Sequence, residues 1–195
     1  MKIRAALILV LTALASCASQ PKAAPTRGAS QEFFDEQTGR TLSVVDEPLI
    51  FARARSDAAA FAHDYATLVA VEVDLSGQDH EYLLLYRWST VDPRMSPPPG
   101  ANEGELHILA DGRKIVLKPL PELPVSLTRR RLLHLPDHGD VSAYAYDVDL
   151  GTLRFIAASR DLRVRLPQEP LDLPFTLWAD GREALAQFAG SGGGL

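Results

Sequence analysis

Residues 69–89, VAVEVDLSGQDHEYLLLYRWS, contain two apolar segments on either side of a polar turn. In the first segment, Val69 to Leu75, large apolar side chains alternate with small or acidic ones, which is the pattern of a β-strand with one buried face. In the second, Tyr82 to Ser89, apolar side chains occupy both alternating sets of positions, which indicates a central strand. Residues 76–80 between them have a common hairpin-loop length. The pattern therefore predicts an antiparallel hairpin.

Shorter β-type segments continue on both sides of this hairpin. Proline-rich breaks at 93–100 and 119–124 separate some of them. Because proline is excluded from central strands, these breaks mark connections between strands. The segments on either side are too short to fold alone, so neither break is interpreted as a domain linker. The further predicted strands are 41–45, 49–53, 106–109, 114–117, 141–148, 162–166 and 174–178.

The tetrapeptide Ala-Asp-Gly-Arg occurs twice, at 110–113 and 179–182. The first copy leads into a β-branched segment, so Asp111-Gly112 is expected to form a tight hairpin turn with positive φ. The second copy leads into strong helix formers, so Asp180 is expected to be a helix N-cap, with Glu183 completing a capping box. The same four residues therefore predict two different local structures and no internal repeat.

Helical patterns are short and lie mainly near the C-terminus. Residues 150–158 place their apolar side chains on one face, with Asp149 as the expected cap, and residues 182–189 form the second predicted helix. A further turn of helix is expected at 57–61. The prediction is a mainly β fold, an antiparallel sandwich or strongly curved sheet with two short C-terminal helices. An α+β arrangement is the alternative.

The N-terminus has the three parts of a secretory signal. Lys2 and Arg4 precede an apolar run at 5–14, which is too short to span a bilayer, and small residues follow. The tetrapeptide Leu14-Ala15-Ser16-Cys17 resembles the lipobox of bacterial lipoproteins. The resemblance covers residues 1–17 and implies cleavage before Cys17, a diacylglyceryl group on its thiol and acylation of the new amine. The alternative is an ordinary signal that happens to be followed by cysteine.

The lipobox resemblance and the composition of the remaining chain divide it into four parts. Residues 1–16 are the signal peptide, 17–31 the lipidated cysteine and a flexible tether, 32–189 a single globular β-rich domain, and 190–195 a disordered glycine-rich tail. More than one acyl chain gives stable anchoring, so the membrane is an expected partner through Cys17. Ala18 follows the cysteine, where an aspartate would resemble an inner-membrane retention signal. The expected location is therefore the outer membrane, with the domain facing the periplasm.

Charge and cysteine content exclude several classes of function. The chain has 20 basic and 25 acidic side chains, so we expect no nucleic-acid partner. Cys17 is its only cysteine. If lipid occupies that thiol, disulfides, thiolate metal sites and cysteine catalysis are excluded together.

Catalytic and metal motifs are weak in this sequence. Asp79-His80-Glu81 places an imidazole between two carboxylates, but consecutive residues in a turn point in different directions. His134 and His138 have the spacing of a zinc pair on a helix, yet Pro136 and Gly139 disfavour a helix there. No Gly-x-Ser-x-Gly, Ser-x-x-Lys or His-Glu-x-x-His motif occurs. We therefore predict no catalytic residue, no metal and no cofactor.

Two features suggest binding. Arg129, Arg130 and Arg131 form a cationic run that could contact an anionic partner, but a solvated or salt-bridged edge strand is the simpler interpretation. Trp88, Tyr144 and Tyr146 could form a stacking platform for a glycan or peptide if their strands were adjacent with one aromatic face outward. The alternative is that these aromatic residues belong to the core.

These observations favour a lipid-anchored, non-enzymatic binding or assembly module of the bacterial envelope. Its expected partner is an envelope protein or a cell-wall component. The alternative is a lipid-anchored hydrolase acting on cell-wall or outer-membrane material. That alternative predicts a deep pocket lined by at least one histidine that lies within hydrogen-bond reach of a carboxylate.

Overall fold

A computed structural model describes residues 30–56, 58, 61–74, 76–91, 105–128, 142–167 and 173–191. This part of the chain contains ten strands in one sheet and three helices. The elements in chain order are β1 (Ser30–Asp35), β2 (Arg40–Val45), β3 (Leu49–Ala54), β4 (His63–Asp74), β5 (Asp79–Ser89), β6 (Leu106–Ala110), β7 (Arg113–Leu117), α1 (Val125–Thr128), β8 (Ser142–Asp147), α2 (Leu150–Ala158), β9 (Leu162–Arg165), β10 (Phe175–Ala179) and α3 (Arg182–Ser191).

The predicted hairpin is the centre of the sheet. Strands β4 and β5 pair in antiparallel fashion along their whole length, from Asp64 opposite Ser89 to Asp74 opposite Asp79. The connection is therefore residues 75–78, shorter than the predicted 76–80. Its tight turn uses the left-handed backbone of Gly77 (φ 83°), whose N–H donates to the Asp74 carboxylate at 2.7 Å.

The length of β4 makes the sheet fork. On one edge of β4, its second half pairs with β2 and its first half pairs with β3, while β5 occupies the other edge. The sheet then continues from β2 to β1, from β5 to β8, and from β3 through β10, β9 and β6 to β7. The predicted mainly antiparallel β fold with short C-terminal helices is confirmed, as one branched sheet.

Burial is different on the two faces of the β3–β10–β9–β6 arm. Phe51, Phe175, Val164 and Ile108 lie on one face, and each is essentially fully buried. Phe175, Val164 and Ile108 are successive partners on neighbouring strands, and Phe51 lies opposite Leu177, two residues after Phe175 on β10. This inner face belongs to a single apolar cluster that also contains the middle of β4 and side chains of α2 and α3. The opposite face of the same arm carries exposed side chains, and it is the face that bears Tyr65 of β4.

The two C-terminal helices form next to each other. Helix α2 has the predicted bounds, and Asp149 caps it by accepting the Thr152 N–H at 2.7 Å. Helix α3 begins at Arg182, so its N-cap position is Gly181 and the predicted cap at Asp180 is one residue too early. Asp180 instead accepts the Arg182 N–H at 3.1 Å. The Arg154 Nε donates to the carbonyl of Ala189 at 2.9 Å and joins the two helices.

Several boundaries differ from the sequence predictions. Strand β1 was not predicted and begins at Ser30, inside the expected tether, because β2 supplies an antiparallel partner for it. Helix α1 was also not predicted, and α3 extends to Ser191, inside the expected tail. The signal peptide, Cys17 and most of the predicted helical turn at 57–61 lie outside the described residues.

Candidate functional site

Four rings from β4, β5 and β10 meet on the outer face of the β3–β10–β9–β6 arm. Tyr65 and Trp88 stack with ring centroids 3.9 Å apart and planes inclined by 7°. Trp178 meets Tyr65 edge-on, with centroids 6.1 Å apart and planes at 88°. The His63 ring lies 5.6 Å from Trp178 and 6.0 Å from Tyr65. We call His63, Tyr65, Trp88 and Trp178 the aromatic cluster.

Small residues on β3 allow these rings to meet. Strand β3 lies between β4 and β10, and its Ala52 and Ala54 pair with Tyr65 and His63. Because alanine side chains are short, Trp178 can reach across β3 to the rings on β4. Ala52 is only 5% exposed although it lies on the outward face, as expected beneath aromatic rings.

The cluster is held in place at one side and open at the other. The Trp88 Nε1 donates a 3.2 Å hydrogen bond to Oγ1 of Thr67, which is buried. The His63 Nδ1 lies 3.1 Å from the carbonyl oxygen of Phe61. Trp178 is 63% exposed. An exposed indole beside ordered aromatic rings is a surface on which a ligand with an apolar face can stack.

An ion-pair network supports the same strand ends from the inner face. Because side chains alternate along a strand, Asp64 points away from its neighbours His63 and Tyr65. Its carboxylate accepts from Arg53 at 2.8 Å and from Arg55 at 3.3 Å. The Arg53 guanidinium also lies 4.3 Å above the centre of the Phe175 ring. These contacts connect β3, β4 and β10, the strands that carry or flank the cluster.

The predicted platform of Trp88, Tyr144 and Tyr146 does not form. Strands β5 and β8 are neighbours, but their register pairs Tyr144 with Leu85 and Tyr146 with Leu83. Directly paired residues point to the same face, so both tyrosines lie on the face opposite Trp88. Tyr146 is 1% exposed and belongs to the core. Its burial, with the nearby Tyr144, raises the pKa of its hydroxyl far above the usual range.

The Asp79-His80-Glu81 segment starts β5 and does not form a loop. Register pairs Asp79 with Asp74 and Glu81 with Glu72, while His80 is on the other face opposite Val73. The four carboxylates therefore share one face, away from the imidazole. Burial, then repulsion from Asp79 and Glu81, raises the pKa of Glu72.

One described histidine contacts a carboxylate. The His107 Nε2 lies 3.1 Å from the Glu105 Oε2; Glu105 immediately precedes β6 and His107 is its second residue. The residues opposite His107 on the adjacent strands are Val116 and Arg165. This pair meets the hydrogen-bond distance that the hydrolase alternative requires, and that alternative also requires the pair to line a deep pocket.

Arg129, Arg130, Arg131 and both histidines of the 134–138 segment lie outside the described residues. Within the described ranges, no group of three or more His, Cys, Asp and Glu side chains could hold a metal ion. Across the same residues, no helix has the length and apolar character needed to cross a bilayer.

Comparisons of this chain with protein-family models, curated proteins and solved structures give no match.

The sequence analysis identifies Trp88 as a candidate binding residue but not its ring partners His63, Tyr65 and Trp178. Tyr65 and His63 precede the clearly alternating part of β4, and Trp178 comes from a strand far away in the chain. The available signal was that both tryptophans of the chain lie in predicted strands.

Proposed function

We propose that this chain is a lipid-anchored, non-enzymatic binding module of the bacterial envelope, and that the aromatic cluster is its binding surface for a cell-wall glycan. The single observation that carries the proposal is the exposed Trp178 beside the stacked Tyr65 and Trp88. Removing a large exposed apolar surface from water favours association. The lipobox resemblance supports an anchor at Cys17 in the outer membrane and a domain that faces the periplasm.

Geometry favours a ligand with flat apolar faces and polar edges. The rings of Tyr65 and Trp178 are perpendicular, so the cluster presents rings in two orientations. Sugar rings combine apolar C–H faces with hydroxyl groups at their edges. Tyrosine and tryptophan match both properties, because each has a large apolar ring and one hydrogen-bonding group.

The binding test uses the full mature chain and purified sacculi in a co-sedimentation experiment. Trp178→Ala should weaken sedimentation with the sacculi at least fivefold, a loss on the order of 1 kcal/mol typical of an aromatic contact. Phe34→Ala is the matched control, since Phe34 is 58% exposed on β1, at the opposite end of the β4–β5 hairpin. Equal losses in both variants, or no loss in either, would contradict the proposal.

The anchor has a separate test. Cys17→Ser should release the chain from the membrane fraction into the soluble envelope fraction, because a serine cannot take the thioether-linked lipid. Fractionation with radiolabelled palmitate measures both retention and acylation. Unchanged retention in the variant would remove the anchor from the proposal without affecting the binding test.

The hydrolase alternative rests on the contact between His107 and Glu105. It predicts that the wild-type chain solubilises labelled sacculi and that His107→Ala abolishes this release. If the non-enzymatic proposal is right, no label is released above the background of the buffer, and His107→Ala sediments with sacculi like the wild type.

A further inference from the structure

We infer that the aromatic cluster is one end of a longer binding surface, and that this surface takes a glycan strand of the cell wall that carries carboxylate groups. The inference rests on the proposed binding surface and adds the charge of the ligand. It depends on how seven strands are aligned on the exposed face of the sheet.

The register joins seven residues into one line across the sheet. Each residue is the direct partner of the next on the adjacent strand. We call this line the cross-sheet row, and its members in spatial order are Trp88, Tyr65, Ala52, Thr176, Arg163, Leu109 and Lys114. At about 4.8 Å between neighbouring strands, the row is roughly 29 Å long. Directly paired residues point to the same face, so the row is continuous on the face of the aromatic cluster.

Charge is distributed unevenly along the row. Its aromatic end carries Trp88 and Tyr65, and its other half carries Arg163 and Lys114, with no acidic residue among the seven. Both cations are exposed, and the Arg163 side chain is half-exposed. The whole chain has a net charge of −5, whereas the row itself carries two basic side chains; Asp161, the ion-pair partner of Arg163, lies just outside the row.

Arg163 can exchange its present partner for a ligand. Its Nε donates to the Asp161 carboxylate at 3.2 Å, in an ion pair of which both side chains are at least half-exposed. Exposed pairs of this kind contribute little to stability, so exchanging the partner costs little. A guanidinium binds carboxylates through two parallel hydrogen bonds, which makes Arg163 the expected acid-binding residue.

The spacing of the cations favours a sparsely charged polymer. Arg163 and Lys114 are two strands apart, about 10 Å, and the aromatic rings occupy the other end. Single-stranded nucleic acid carries a phosphate at every residue and depends on many cations for affinity. A glycan whose carboxylates are separated by uncharged sugars matches the row better, with sugars on the rings and acids on the cations.

The test uses intrinsic fluorescence, because both tryptophans of the chain lie in the aromatic cluster. The full mature chain is titrated with glycan strands from sacculi whose peptide stems have been removed. One sample keeps its free lactyl carboxylates, and in the other these groups are methyl esters. Arg163→Gln should weaken binding of the free acid about tenfold and leave the ester unchanged, since the lost interaction is charge-dependent. Arg160→Gln removes the same charge from the loop before β9 and should bind the acid like the wild type.

Other results of this titration would contradict the inference alone or the proposed function as well. Equal affinity for acid and ester in the wild type, together with no effect of Arg163→Gln, overturns the inference but leaves the proposed glycan-binding function intact. No fluorescence change with either glycan overturns both. Tighter binding to a dT oligomer or to anionic phospholipid vesicles also overturns the inference. If Arg163→Gln does not fold, Lys114→Gln on the edge strand replaces it, with the same expected dependence on free carboxylates.

Discussion

Tyr65 and Trp88 stack face to face across β4 and β5, with ring centroids 3.9 Å apart and planes inclined by 7°. The pair lies where the central hairpin begins on β4 and ends on β5. The register of the hairpin places the rings opposite each other, and Thr67 orients the indole through its hydroxyl group. A ligand surface and a contact that stabilises the hairpin therefore share the same two side chains.

The stacked pair should be energetically coupled. Aromatic pairs of this geometry contribute about 0.5–1.5 kcal/mol beyond their buried area. A double-mutant cycle of Tyr65→Ala and Trp88→Ala, measured by urea unfolding, should give a coupling energy in that range. The control cycle combines Tyr65→Ala with Tyr82→Ala, on the same face but near the other end of the hairpin, and should be additive. Equal coupling in both cycles would refute a specific interaction.

Gly181 should not tolerate a side chain. A Cβ at this position would contact the backbone carbonyl oxygens of Glu47 and Pro48, the latter at 2.7 Å. Gly181→Ala should therefore destabilise the protein by about 1–3 kcal/mol, as overpacking does. Gly190→Ala near the end of α3 meets no atom within 4 Å and should be neutral or slightly stabilising. Thermal unfolding of both variants measures the contrast.

Asp64 should contribute far more to the stability of the fold than Asp161, although each carboxylate pairs with an arginine. Arg53 and Arg55 both bind Asp64, and these side chains are largely buried, whereas the pair of Arg163 and Asp161 is exposed. Asp64→Asn should cost on the order of 2–3 kcal/mol because it removes a charge that compensates a buried guanidinium. Asp161→Asn should change the unfolding free energy by less than about 1 kcal/mol. Similar losses in the two variants would contradict this assignment.

Glu72→Gln should stabilise the protein at pH 7. Burial and the neighbouring carboxylates of Asp79 and Glu81 raise the pKa of Glu72 in the folded state. The folded state then binds the proton more tightly than the unfolded state, so stability falls as pH rises through this window. Removing one of these mutually repelling negative charges should raise the free energy of unfolding by roughly 0.2–1 kcal/mol at pH 7. The gain should disappear below the unfolded pKa, near pH 4, when urea unfolding is repeated there.

Asp111 should show the opposite pH dependence. Its carboxylate accepts the backbone N–H groups of Asp161 at 2.8 Å and Arg160 at 2.9 Å, which lowers the pKa of Asp111. Its contribution is therefore present above the unfolded pKa and is lost as pH falls through the folded pKa. Asp111→Asn keeps an acceptor oxygen and tolerates the left-handed backbone. Its melting temperature should be lower than that of the wild type at pH 7 and equal to it near pH 2.

Local patterns explain the successes of the sequence predictions. The alternation at 69–75 marked the second half of β4, and the apolar spacing after Asp149 marked α2. The Asp111-Gly112 turn also has the expected positive φ at both residues. In each case the deciding contacts are made between residues close in the chain, so the sequence pattern contains them.

The features that the sequence did not predict depend on contacts between strands. Strand β1 has no clear alternation and forms because β2 pairs with it. A platform of Trp88, Tyr144 and Tyr146 was one of two possibilities for these residues, and a register that pairs Tyr144 with Leu85 turns both tyrosines to the other face, where Tyr146 belongs to the core. A shift of one residue in that register would have reversed this result, and nothing in either strand alone specifies it.

By itself, the sequence determined where most strands, turns and helices form, because backbone preferences, capping groups and hydrophobic periods act over a few residues. Only the tertiary structure decided which strands are neighbours and which side chains share a face. Trp178, Tyr65 and Arg163 come from three separate strands and reach one surface through strand pairings that form together with the apolar core. Because these pairings depend on packing of the whole apolar cluster, the candidate binding surface is a property of the folded domain and not of any segment of it.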